Sequence, residues 1–223
     1  MKQIPNALTL SNLLMGCFSI WFSSQNQLEW AGICILIGAV ADFLDGFVAR
    51  LVKASSELGA QLDSLSDLVS FGVAPSFIAL TLAQQTEYYY FACFIIPICA
   101  AIRLAKFNLG GQGAVFLGMP SPACGLFWAG TALGAIPNFP EDLLPVYFVM
   151  MAVATGLLMV IPLQMMSFKL KGLGWRENRF RFILIALSAI SIFALGWMST
   201  PIILALYLLC SIADQYLFKT DEI

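Results

Sequence analysis

The chain has 223 residues, 60% of them hydrophobic and only 11% charged, with a formal net charge of −2 and a mean hydropathy of +0.87. Soluble domains carry about 25% charge, because a wetted surface requires it; a water-soluble globule is therefore excluded, and the slight acidity excludes a basic nucleic-acid binder. Histidine is absent, which removes imidazole bases, Ser-His-Asp triads and His-ligated zinc or haem.

A membrane helix needs roughly 20 mostly apolar residues to cross ~30 Å of hydrocarbon. In chain order, eight segments are expected to do so: 5–23, 30–51, 59–82, 88–106, 121–137, 143–163, 180–197 and 201–218. The first has one leading lysine and no small-x-small cleavage site, so it reads as a span rather than a signal peptide. The fifth is interrupted by Gly and Pro at both ends. The expected fold is an all-α, polytopic transmembrane bundle of about eight spans, forming one integral domain over 1–223 without repeats or a soluble domain. Cys17, Cys34, Cys93, Cys99, Cys124 and Cys210 form no CxxC pair and sit in apolar runs, as small buried hydrophobes do. Tyr88–Tyr90, Trp128, Trp175 and Trp197 fall mostly near span ends and read as an interfacial belt.

Orientation follows from the basic residues. Lys2, Arg50, Lys53, Arg103, Lys106, Lys169, Lys171, Arg176, Arg179, Arg181 and Lys219 all fall on alternate connections. With eight spans these share one face with both termini, and the positive-inside rule makes that face cytoplasmic. The cluster Lys169–Arg181 is expected to anchor on anionic membrane lipid. The protein is placed in the inner or plasma membrane.

Most of the thirteen acidic residues fall in loops or toward the C-terminal tail; four do not: Asp42, Asp45, Asp63 and Asp67. Each costs on the order of 2.5–3.5 kcal/mol on insertion scales, so a cation or a water-filled cavity must compensate. Asp42, Asp45, Gly46 and Ala49 recur at i, i+3, i+4 and i+7, one helical stripe; Gly59, Asp63 and Asp67 form a second. If the two spans turn near Ala54, Asp45 and Asp63 lie at matching depth, and Asp42 faces the neighbourhood of Ser66 and Asp67. Oxygen donors alone suit Mg²⁺, Mn²⁺ or Ca²⁺, and Mg²⁺ commonly shares its open positions with substrate phosphates. A diphosphate substrate entering from the cytoplasm is therefore expected. Gly46 and Gly59 taken singly would read as helix-packing residues.

Asp42-x-x-Asp45-Gly46-x-x-Ala49-Arg50, eight residues, then Gly59-x-x-x-Asp63-x-x-x-Asp67 resembles the signature of the CDP-alcohol phosphatidyltransferases. The runs 66–76 (SDLVSFGVAPS), 103–108 (RLAKFN) and 118–123 (GMPSPA) resemble the branch that uses L-serine. The resemblance extends from Pro5 to about Gly125. It implies a reaction in which CDP-diacylglycerol and L-serine give phosphatidylserine and CMP, a polar cavity open to the cytoplasm, and a homodimer. By position it implies that Asp42, Asp45 and Asp63 bind metal, with Asp67 a further ligand and the general base. Gly46, Ala49 and Gly59 would line the nucleotide pocket with Arg50 nearby, and Asn6 and Thr9 would contact the CDP group.

The chemistry suits these parts. Two Mg²⁺ or Mn²⁺ ions on a diphosphate make CMP a better leaving group, and a carboxylate that takes the serine proton can supply ~10²–10⁴-fold. No Ser, Cys or His nucleophile has an adjacent base, so a single displacement is expected. Arg103 offers a fork suited to a carboxylate, with Lys106 and Asn108 close by, although Arg103 and Lys106 also suit positive-inside anchoring. Sister enzymes that use glycerol phosphate or inositol phosphate should demand more basic residues than Arg50, Lys53, Arg103 and Lys106 supply. A divalent-cation transporter should carry a mirrored second site, and nothing in the second half of the chain mirrors the aspartates.

Overall fold

The computed structural model describes residues 3–52, 56–83, 89–109, 117–134, 144–163, 165 and 175–218. Its regular elements are all helical: α1 (Gln3–Ser24), α2 (Leu28–Leu51), α3 (Glu57–Leu68), α4 (Ala74–Leu82), α5 (Ile95–Leu109), α6 (Ser121–Leu133), α7 (Leu144–Val160), α8 (Trp175–Leu195) and α9 (Thr200–Phe218). Five stretches are long and apolar enough to cross a bilayer: Ile4–Ser24, Leu28–Leu51, Glu57–Leu82, Tyr90–Leu109 and Asn178–Gln215. The protein is an all-helical membrane bundle. The last stretch is broken at Gly196, which takes φ +59, and α8 and α9 pack on one another as a hairpin. Its two arms correspond to the spans expected over 180–197 and 201–218. Among the described residues helix α6 has 13 residues and α7, an apolar helix, has 17.

Helix α3 starts where Ser56 caps it, the Gly59 N–H donating to Ser56 Oγ at 3.0 Å. It continues into α4 through a π turn, Val69–Val73, in which the Ala74 N–H bonds to the Val69 carbonyl. Pro75, in the first turn of α4, has no N–H to give, and the wider turn accommodates that gap in the ladder. Helix α1 presses on this turn: Ser70 Oγ donates to the Asn12 carbonyl at 2.8 Å, and a Cβ on Gly16 would stand 2.9 Å from Ser70 Cα.

The core includes Ile35, Phe71, Ile78, Ile96, Phe127 and Trp128, from α2, the π turn, α4, α5 and α6. Glycines set the helix spacing, as expected in lipid. A Cβ on Gly32 would lie 2.8 Å from the Ala129 carbonyl oxygen, and one on Gly156 would lie 2.9 Å from Ile95. Trp128 corrects the belt expectation: it is fully buried and its indole N–H donates to Thr155 Oγ1 at 3.2 Å. That hydroxyl lets a mid-bundle tryptophan satisfy its polar edge. Trp197 is exposed, and Tyr88 lies outside the described residues. Five of the cysteines are buried and free; Cys17 is free but exposed. Arg181, expected at the lipid interface, is buried, its Nη1 donating to Asn178 Oδ1 one turn earlier at 3.0 Å. Lys2, Lys53, Lys169, Lys171 and Lys219 lie outside the described residues.

Candidate active site

Helices α2 and α3 scarcely touch each other; each packs on α1, and α3 also packs on α5. The gap this leaves is where the acidic residues meet. One carboxylate oxygen each from Asp42, Asp63 and Asp67 lies within 4.8 Å of the other two. Asp42 and Asp67 are close enough to influence one another electrostatically. Asp45 has in addition a partner on α1, which a hairpin of α2 and α3 alone does not supply. It is buried against α1, where Thr9 Oγ1 donates to its Oδ2, while staying within electrostatic range of Asp63. The same Thr9 Oγ1 lies 3.0 Å from the Pro5 carbonyl, an alternative acceptor for its single proton. One turn of α2 separates Asp42 from Asp45, enough to send one to α3 and the other to α1.

Among the described residues no ion pair reaches these four carboxylates. Oxygens on an octahedral Mg²⁺ are about 2.9 Å apart when adjacent and about 4 Å apart when opposite, so the trio would draw together by up to ~2 Å to share a cation. Hard oxygen donors without sulfur or nitrogen fit a divalent ion.

The flanks of the cluster are open or polar. A Cβ built on Gly46 would meet nothing within 4 Å, so that face of α2 borders free space. Arg50, exposed, folds back along α2, its Nε donating to the Gly46 carbonyl at 2.9 Å, and Ala49 is half-buried one turn from Asp45. Gly59 is tighter: its Cβ would lie 3.1 Å from Ser56 Oγ and 3.4 Å from Asn6 Oδ1. Asn6 therefore stands beside the start of α3.

From α5, Arg103 reaches inward. Its Nη1 donates to Ser121 Oγ at 3.0 Å, its buried Nε has no hydrogen-bond partner among the described residues, and it lies within electrostatic range of Asp67 and of Tyr207 on α9. Asn108 Nδ2 donates to Ser64 Oγ at 3.0 Å, tying the end of α5 to α3 beside Asp63. Lys106 is exposed on the last turn of α5. Asn12, Ser64, Ser121 and Tyr207 were not anticipated from sequence. Asn12 had a signal, a polar residue three positions after Thr9 inside an apolar span, and Ser121 lay in the 118–123 run; Ser64 and Tyr207 had none.

The CDP-alcohol phosphatidyltransferase family model matches residues 2–213. The chain belongs to that family. The CDP-alcohol phosphatidyltransferases are divalent-metal-dependent enzymes, in keeping with the acidic cluster. Relatives named CDP-diacylglycerol–serine O-phosphatidyltransferase include one from Helicobacter pylori, 33% identical over 98% of this chain and 93% of its own length. One from Bacillus subtilis is 37% identical over 56% of this chain and 73% of its own length. One from Mycobacterium leprae is 38% identical over 55% of this chain, and the match spans only 44% of that longer protein.

Proposed function

We propose that this CDP-alcohol phosphatidyltransferase moves the phosphatidyl group of CDP-diacylglycerol to the hydroxyl of L-serine, giving phosphatidylserine and CMP. The observation that carries the reading is the meeting of Asp42, Asp63 and Asp67 beside the open face at Gly46. The names of the relatives support serine as acceptor.

Asp42, Asp45, Asp63 and Asp67 would hold two divalent cations, Mg²⁺ or Mn²⁺, which when bound neutralise the diphosphate and ease departure of CMP. Asn6, Thr9, Gly46, Ala49, Arg50 and Gly59 surround the nucleotide. The absence of a Cβ at Gly46 lets the diphosphate approach the backbone of α2. Asp67 takes the proton from the serine hydroxyl. The serine oxygen then forms a bond to the phosphorus that carries diacylglycerol, the bridging P–O bond breaks, and CMP leaves with the electron pair. No covalent enzyme intermediate is needed. Arg103 meets the serine carboxylate with its fork, and Lys106 and Asn108 border the entrance. The site faces the cytoplasm, and the protein works as a homodimer.

Purified protein in detergent, given CDP-diacylglycerol, L-serine and Mn²⁺ or Mg²⁺, should release CMP and form phosphatidylserine, and a chelator should stop it. Faster transfer to glycerol 3-phosphate or inositol phosphate would overturn the acceptor and leave the CDP-alcohol chemistry standing. Absence of CMP release with every acceptor would overturn the enzyme reading.

A further inference from the structure

Asn12 has no exposed surface, and it touches three elements at once. Its Nδ2 donates to Asp67 Oδ1 at 3.3 Å, and its backbone carbonyl accepts from Ser70 Oγ at 2.8 Å. On the α2 side, a Cβ at Gly38 would stand 2.9 Å from Asn12 Oδ1, so the amide lies directly on that helix. Its Oδ1 is buried without a hydrogen-bond partner among the described residues. Burial of an amide oxygen unbonded is unfavourable, and here the same orientation puts the amide N–H on Asp67. The π turn begins two residues after Asp67, so the helical ladder that should steady this carboxylate is irregular on its C-terminal side. Asn12 grips both ends of that stretch, the side chain of Asp67 and, through Ser70, the π turn.

We propose that Asn12 is a positioning residue: it holds Oδ1 of Asp67 from the α1 side and leaves the other carboxylate oxygen for the acceptor hydroxyl. The inference rests on the reading of Asp67 as general base. Asn12 acts through Asp67 and touches neither substrate.

The test uses the full-length protein in detergent, with Asn12→Leu, which keeps most of the side-chain volume and removes the N–H, and Asn12→Ala, which removes both. Misplacing a reacting group by about 1 Å can cost 10²-fold. Both variants should therefore lose roughly 10- to 100-fold in kcat, with the KM for each substrate and Mn²⁺ binding, read by electron paramagnetic resonance, within about threefold of wild type. In an Asp67→Asn background the same substitutions should cost nothing further, because the group they position is already gone. Wild-type kcat in Asn12→Leu, a loss confined to KM, or a full additional loss in the Asp67→Asn background overturns the inference while Asp67 keeps its role. Wild-type kcat in Asp67→Asn alone removes the base reading, and the inference with it. If Asn12→Leu does not fold, the Asn12→Ala arm of the same cycle decides.

Discussion

Gly46→Ala separates the needs of the fold from those of the substrate. In a helix interior, alanine is favoured over glycine by about 0.8–1.0 kcal/mol. The added methyl meets nothing within 4 Å, and the Arg50 Nε bond to the Gly46 carbonyl involves only backbone on the glycine side. The variant should therefore melt at the wild-type temperature or slightly above it. The same methyl occupies the space through which a diphosphate would approach α2, and a displacement of about 1 Å at the reacting phosphorus can cost 10²-fold. We expect kcat/KM for CDP-diacylglycerol to fall by roughly 100-fold while stability holds or rises. The assay is CMP release in mixed micelles, with CDP-diacylglycerol varied at saturating serine, beside a thermal melt of the same preparation. Wild-type kcat/KM with an unchanged melt would show that the diphosphate sits elsewhere. A lowered melting temperature would refute the open space itself.

Asp42→Ala, Asp45→Ala and Asp63→Ala should each abolish turnover in protein that still inserts and stays folded; more than about a tenth of wild-type activity in any of them counts against its metal role. Asp67→Asn should cut kcat while leaving CDP-diacylglycerol binding nearly intact, and a Mg²⁺ titration checks this, because a raised metal requirement would mark a ligand rather than a base. Arg103→Lys keeps the charge but loses the planar fork. A lost charge-assisted hydrogen bond of about 1.5–3 kcal/mol corresponds to roughly 10- to 150-fold, so the serine KM should rise by that factor and the CDP-diacylglycerol KM should not. An equal rise in both would place Arg103 on the shared diphosphate or in the packing of Ser121.

The membrane class and the acidic cluster were legible because charge is costly in hydrocarbon, so each aspartate inside an apolar run is a signal in its own right. Stripe arithmetic brought Asp42 to Asp67 correctly. It did not supply the α1 partner of Asp45, because a two-helix hairpin leaves out that helix, and Thr9 donates to the carboxylate. The burial of Trp128 was not legible, since lipid-facing and core-facing residues are equally apolar and hydropathy cannot tell them apart. Only its hydrogen bond to Thr155 marks the difference. The π turn had a partial signal in Pro75, but its position depends on the contact of Gly16 with Ser70, two residues far apart in the chain. Arg181 reads as a surface anchor from charge alone, and an acceptor that meets its guanidinium in the buried position, Asn178, lies one turn earlier on the same helix.

The reliance of α2 and α3 on α1 has a consequence for biogenesis. Translation delivers α1 and α2 before α3, and among the described residues their pairing is the most extensive, so this hairpin can form before α3 leaves the ribosome. Asp45 then already has Thr9 as a donor, and α3 meets a prepared surface carrying Asn12 and Gly16. Its two aspartates, unfavourable in lipid on their own, enter beside a partner. A nascent chain with a scrambled α1 should therefore fail at the insertion of α3, well before any substrate is present.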